Sequence, residues 1–123
     1  MAYSIEQWRK AITKLLELTS EDKLIWQSSD DYEPEASEAI DGSFSAKLKD
    51  KMYVVSKVRR RHYLDENDFV WVYRFNLAIF ERNLFSGFEA IANSPDISSI
   101  AALYEAAESN FAYNKNALGD LLD

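Results

Sequence analysis

The chain has no cysteine. That absence removes disulfide bridges, thiolate nucleophiles and cysteine-ligated zinc or iron–sulfur centres. It fits a reducing compartment, and a cytoplasmic location is the expectation. Glycine is nearly as scarce. Gly42, Gly87 and Gly119 stand isolated, so no glycine-rich loop can cradle a phosphate and no Gly-x-Ser-x-Gly elbow can present a nucleophile. His62 is the only histidine, whereas a metal centre of the usual kind wants several imidazoles or thiolates, or a cluster of acids. No apolar run nears the roughly 20 residues that span a bilayer. The first residues, Met-Ala-Tyr-Ser-Ile-Glu-Gln-Trp, lack the basic start, apolar run and small-residue cleavage site of a secretory signal. No cofactor, metal or membrane partner is expected.

What is present suits one folded domain spanning residues 1–123. That length buries roughly two thirds of the unfolded chain's surface, enough for a core without staples. Seven Tyr, seven Phe and three Trp supply bulk for it. The net charge is −7, but it is unevenly spread. From Lys47 to Tyr63 seven cations meet one carboxylate, a net of +6, which leaves −13 on the remainder.

Residues 4–19 read as an amphipathic helix. Ser4 and Gln7 make a capping box, and Ile5, Trp8, Ile12, Leu15 and Leu16 form one stripe. Lys23–Ser29 reads as a short strand, followed by an acidic loop over residues 30–35. Asp41-Gly42 signals a turn into a second strand, Ser43–Leu48. A third strand is expected over Met52–Tyr63, then a polar hairpin connection, Asp65–Asp68. In the fourth strand, Phe69–Glu81, residues Trp71, Tyr73, Phe75, Leu77 and Ile79 share one face, which is expected to be core. The opposite face is mixed. Glu81-Arg82-Asn83 reads as a turn into a fifth strand, Leu84–Ile91. Ser94-Pro95-Asp96 carries the signals of a helix start. Ile97, Ile100, Tyr104, Ala107 and Phe111 give its buried stripe. A short last helix over Asn116–Leu122 would be anchored by Leu118, Leu121 and Leu122. The fold class is therefore α+β: an antiparallel meander of about five strands with the helices packed on one face.

The layout resembles a loose group of small uncharacterised bacterial proteins. The likeness rests on the Leu15–Thr19 helix end, the Lys23–Trp26 strand and the aromatic strand Tyr73–Phe80. Leu103-Tyr104-Glu105 and the terminal Leu-Leu complete it. These are core positions, so the resemblance implies a fold and carries over no activity. The Arg-Arg-Arg-His run is not part of that pattern, and the third and fourth strands are longer here.

Two charged constellations remain. In a strand, Lys57, Arg59, Arg61 and Tyr63 project to one side, and Arg60 with His62 to the other. A basic and aromatic sheet face can bind single-stranded nucleic acid. The simpler reading pairs these cations with the chain's own acids, or places them on an edge where they discourage strand pairing. The acids Asp30, Asp31, Glu33, Glu35 and Glu38 suggest an acidic face, which could block a basic partner as an inhibitor or immunity-type protein does. Acids in a proline-containing loop are more simply solvated, and their spacing matches no calcium loop. His62 could serve as a lone general base, but a strand-end residue beside a hairpin is the plainer account. The leading expectation is a non-enzymatic interaction module that binds protein through a sheet edge or a charged face. Self-association into a homodimer is included, and nucleic-acid binding through residues 57–63 is the alternative.

Overall fold

A computed structural model describes residues 1–85 and 87–122. Helix α1 spans Ile5–Ser20. Its capping box forms as expected: Gln7 N–H donates to Ser4 Oγ (3.1 Å) and Ser4 N–H to Gln7 Oε1 (2.8 Å). Two orphan donors of the first turn are thereby satisfied. Trp8, Ile12, Leu15 and Thr19 are buried, but Ile5, at the helix start, is exposed. At the far end the Thr19 hydroxyl donates to the Leu15 carbonyl (2.7 Å) and accepts from the Trp26 indole N–H (2.9 Å).

The expected strand Lys23–Ser29 contracts to β1, Gln27–Ser28. Leu24 and Trp26 are fully buried, yet the Trp26 backbone N–H donates to the Asn110 side chain (2.8 Å) rather than to a strand. Their alternation marks a buried crossing, not a sheet ladder. Strand β2 runs Glu38–Leu48, longer than expected. The turn read at Asp41-Gly42 is a bulge inside it, where the register against the next strand jumps between Ile40 and Gly42. Gly42 is required there because the Tyr104 hydroxyl fills the place of a Cβ.

Strands β3, Lys51–Tyr63, and β4, Phe69–Asn83, form one long hairpin paired from Lys51↔Glu81 to Tyr63↔Phe69. The turn read at residues 81–83 is absorbed into β4, and β5 covers Gly87–Asn93. Leu84 and Phe85 are exposed turn residues, and Ser86, inside the expected fifth strand, lies outside the described residues. Gly87 takes a φ of 85°, which suits glycine.

Helix α2 begins later than the Ser-Pro-Asp signal implied, at Ser99, and ends at Asn114. Ser94 does not cap it: the sheet holds its backbone, with its N–H donating to the Leu77 carbonyl (2.8 Å), and its hydroxyl donates to the Pro95 carbonyl (2.8 Å) instead of accepting from a helix N–H. The N-cap is Ser98, without a side-chain capping bond. Ile97, Ile100, Leu103, Tyr104 and Ala107 are buried and Phe111 is partly so. Helix α3 is only Gly119–Leu122, and its expected anchors Leu118, Leu121 and Leu122 are all exposed. A single turn presents too little surface to seat them.

The sheet is an antiparallel meander in the order β1-β2-β3-β4-β5. One core joins Trp8, Ile12 and Leu15 of α1 with the buried face of α2 and with Phe44, Ala46, Val55 and Leu77 of the sheet. Both helices therefore cover the same sheet face. The chain is α+β, with the helices flanking the strands in sequence.

A candidate interaction surface on the long hairpin

A 16-residue helix is about 24 Å long, whereas a 15-residue strand such as β4 reaches about 50 Å. The helices cannot cover the whole hairpin. Its inner part is core: Leu77 is fully buried, and Phe75 and Ile79 are half-buried against the helices. Its outer part, residues 59–73, projects as an arm. Trp71 is 39% exposed and Tyr73 52%, so the expectation that both are core fails. On the opposite face Val70 and Val72 are exposed as well.

The expected basic strip forms on this arm. Register pairs Lys57 with Phe75, Arg59 with Tyr73, Arg61 with Trp71 and Tyr63 with Phe69. All eight side chains share the helix-side face. The cations lie on the rings: Lys57 Nζ is 5.0 Å from the Tyr73 centroid, and Arg59 is 4.6 Å from that of Trp71. Arg61 is 4.9 Å from the ring of Phe69 and 5.5 Å from that of Trp71. Tyr63 and Trp71 in turn contact Phe69 at 5.8 and 5.5 Å. Exposed cation–ring contacts contribute about 0.5–1 kcal/mol each. They also let the arginine stems shield aromatic surface from water. Arg60 and His62 face the other side, with Val70 and Val72, as alternation requires.

Of these cations Arg59 has an acid partner, with Nε 3.2 Å from Asp41 and no hydrogen-bond geometry. Lys57, Arg60 and Arg61 form no ion pair among the described residues. The arm's tip carries Asp65, Glu66 and Asp68, all exposed. The arm thus has a basic shaft and an acidic end.

Strand β4 is also a free edge over this length. Its pairing with β5 begins only at Ala78. The Leu77 carbonyl points to that side, since it accepts from Ser94. Backbone groups two residues apart point the same way in a strand. Phe69, Trp71 and Tyr73 therefore turn their N–H and C=O groups to the open edge, whereas beside Phe75 the Ser94–Asp96 segment continues past Leu77, with Asp96 next to Tyr73 and Arg74. No backbone partner meets the three outward residues among the described residues.

The acidic segment behaves differently. Asp30, Asp31, Glu33 and Glu35 are exposed, and Asp31 accepts from the Ser29 hydroxyl (2.9 Å). Glu38 leaves this group. It belongs to β2, its side chain is 3% exposed, and Arg74 Nη2 donates to it at 2.8 Å. The Tyr32 hydroxyl (3.1 Å) and the Glu35 N–H (3.1 Å) complete its partners. Burial pushes the Glu38 carboxyl up, but these donors outweigh it and hold the group below its ordinary value. Burial and the Glu38 carboxylate push the Tyr32 hydroxyl up. This cluster pins the acidic loop to the sheet face away from the helices.

Beside it lies an open cleft of about 530 Å³, lined by Tyr32, Arg74, Asn76, Ala78 and Phe80. Ser43 and Ser56 share a buried hydrogen bond (2.8 Å) on this face, and Asn76 Nδ2 has no partner among the described residues. No group of three or more metal-ligating side chains is gathered among the described residues. His62 is exposed at the arm. No helix among them is long and apolar enough to cross a membrane.

Sequence reasoning found the cations and missed the aromatics as surface residues. The signal was available. A short connection over Asp65–Asp68 places Arg61 and Arg59 opposite Trp71 and Tyr73, and arginines cannot share a face with a dry core at no cost. Comparison with protein families, curated proteins and solved structures finds no match to this chain.

Proposed function

We propose that the chain is a non-enzymatic interaction module that takes an extended protein segment along the free edge of β4. The observation that carries this reading is the row of outward backbone groups at Phe69, Trp71 and Tyr73. A strand added there gains main-chain hydrogen bonds, while Trp71, Tyr73, Val70 and Val72 offer side-chain contacts on both faces. This edge lacks the usual protections: between Phe69 and Tyr73 there is no proline, no lysine and no bulge. An exposed, apolar, unprotected edge fits a surface that is covered in use.

Nucleic-acid binding is the second reading, favoured by the ladder of cations and rings. It is weaker on two counts. The arginines already occupy the ring faces on which bases would stack, and the acidic tip would repel a phosphate backbone along the arm's axis. The inhibitor reading loses Glu38, whose charge is neutralised internally by Arg74.

The test is selection of random peptides by display against the immobilised full chain at nanomolar density, followed by amide exchange on the complex. Selected peptides are expected to slow exchange at Phe69, Trp71 and Tyr73. Selection that yields no binder, or binders that leave those amides unprotected, overturns the reading. Low-salt binding of an oligothymidylate, abolished by Arg59→Glu with Arg61→Glu, decides for nucleic acid instead.

A further inference from the structure

We infer that the segment taken up along β4 carries a single carboxylate at the residue facing Trp71, with apolar residues on both sides of it. This rests on the edge reading above and adds the chemistry of the occupant.

The usable edge is short. Phe69, Trp71 and Tyr73 turn their backbone groups outward, and Asp96 stands beside Tyr73 and Arg74 at the inner end. An antiparallel segment opposite residues 69–73 fills it, with Trp71 at the centre. Trp71 then exchanges both N–H···O bonds with the residue opposite, whose side chain takes the same face of the sheet.

On that face two cations have crossed from β3 to lie over the indole. The Arg59 guanidinium is 4.6 Å from the Trp71 centroid and that of Arg61 is 5.5 Å from it. They therefore stand over β4, about one strand spacing of 4.8 Å from the incoming backbone rather than two. Arg59 has Asp41 at 3.2 Å from its Nε, and Arg61 forms no ion pair among the described residues. Two guanidinium groups over one ring, set against one carboxylate, leave an excess of a single positive charge. A Glu side chain opposite Trp71 lies within reach of both, and the planar fork of a guanidinium matches a carboxylate.

The neighbouring positions of the segment take the opposite face, beside Val70 and Val72, both exposed. These are non-hydrogen-bonded pairs, in which side chains come closest, so apolar residues there remove the most valine surface from water. Arg60 and His62 share this face but stay on β3, without the ring contacts that carry Arg59 and Arg61 across among the described residues. The next positions outward return to the helix side, beside Phe69 and Tyr73, where aromatic side chains fit.

Further acids are excluded at both ends. Asp65, Glu66 and Asp68 stand at the tip and Asp96 at the base. Like charges on neighbouring strands repel, and the chain as a whole carries −7. An acidic run gains at Arg59 and Arg61 and loses at each end, whereas one acid in an apolar stretch only gains. Lysine just beyond the apolar residues meets the terminal acids.

The probe is the fluorescein-labelled peptide Lys-Tyr-Val-Glu-Val-Tyr-Lys, whose pattern reads alike in either direction. Anisotropy titration with the full chain is expected to show binding at least about fivefold tighter than with Gln in place of the central Glu. Raising salt should shrink that preference. Arg61→Gln, at an exposed side chain, should reduce it, and Arg59→Gln with Arg61→Gln should abolish it. In each variant both peptides should still slow amide exchange at Phe69 and Trp71, with far-UV circular dichroism unchanged. Equal affinity for the two peptides, with those amides protected, overturns the inference and leaves the edge reading standing. A preference for Glu that survives loss of both arginines overturns the placement of the carboxylate at Trp71 and with it the inference. If neither peptide binds, the inference fails, and the display selection above decides the edge reading separately.

Discussion

Arg74→Met should destabilise the protein by about 2 kcal/mol at neutral pH. Removing one partner of a buried ion pair costs roughly 3–5 kcal/mol when the other charge is left without compensation. Two features reduce that figure here. The Arg74 side chain is 40% exposed, so water already screens part of the attraction. Glu38 also keeps the Tyr32 hydroxyl and the Glu35 N–H. Urea unfolding should show a lower midpoint with an unchanged slope, and the melting temperature should fall by roughly 8 °C for a domain of this size. The pH dependence has a definite sign. Glu38 is held below its ordinary value of 4.5 in the folded chain. Its contribution is therefore complete above about pH 4.5 and is lost as pH falls through the lower folded value. Once Glu38 is protonated the missing cation matters less, so the deficit of Arg74→Met should shrink between pH 7 and pH 3. A double-mutant cycle with Glu38→Gln should give a coupling of about 1 kcal/mol or more. A deficit below about 0.5 kcal/mol at pH 7, or one that stays constant to pH 3, would refute the reasoning.

Other perturbations probe the rest of the fold. Gly42→Ala should cost about 1–3 kcal/mol, because the new Cβ overlaps the Tyr104 hydroxyl and that ring is held between Phe44 (5.6 Å) and Phe75 (5.5 Å). Thermal melts should show partial recovery when Tyr104→Phe is added, and none if the backbone is at fault. Thr19→Val leaves the buried Trp26 indole N–H without its acceptor and should cost about 1–3 kcal/mol in urea titrations. Leu77→Ala should cost about 2–5 kcal/mol. Trp71→Ala removes two exposed cation contacts and should cost about 1–2 kcal/mol. Equal losses would show that the arm is core after all.

Much of the architecture was legible in the residues. Ser4 and Gln7 marked the start of α1, and the alternation of β3 and β4 marked two long strands with a short polar connection. Local chemistry decides such features within a few residues, because capping bonds and pleat periodicity act over that range. The element ends that moved did so for tertiary reasons. Ser94 carries the marks of an N-cap, yet the sheet holds its backbone beside Leu77 and its hydroxyl turns to the Pro95 carbonyl. Asp41-Gly42 reads as a turn, yet pairing with β3 on either side of the bulge, Ile40 with Val58 and Gly42 with Lys57, holds it in a strand.

The candidate surface shows the same division more sharply. By itself the sequence determined which side of the sheet each residue takes: Lys57, Arg59, Arg61 and Tyr63 on one side, Arg60 and His62 on the other, and Trp71 in line with Leu77. It could not say how far along the strand the covering layer extends. Two 16-residue helices shield Leu77 and stop short of Trp71, and only their packing sets where that boundary falls. Alternation reports the face of a residue, whereas burial depends on what another part of the chain lays over it. The tertiary structure therefore decided that an apparent core strand ends in an exposed arm, and that Glu38, grouped by sequence with a solvated acidic loop, is a buried partner of Arg74.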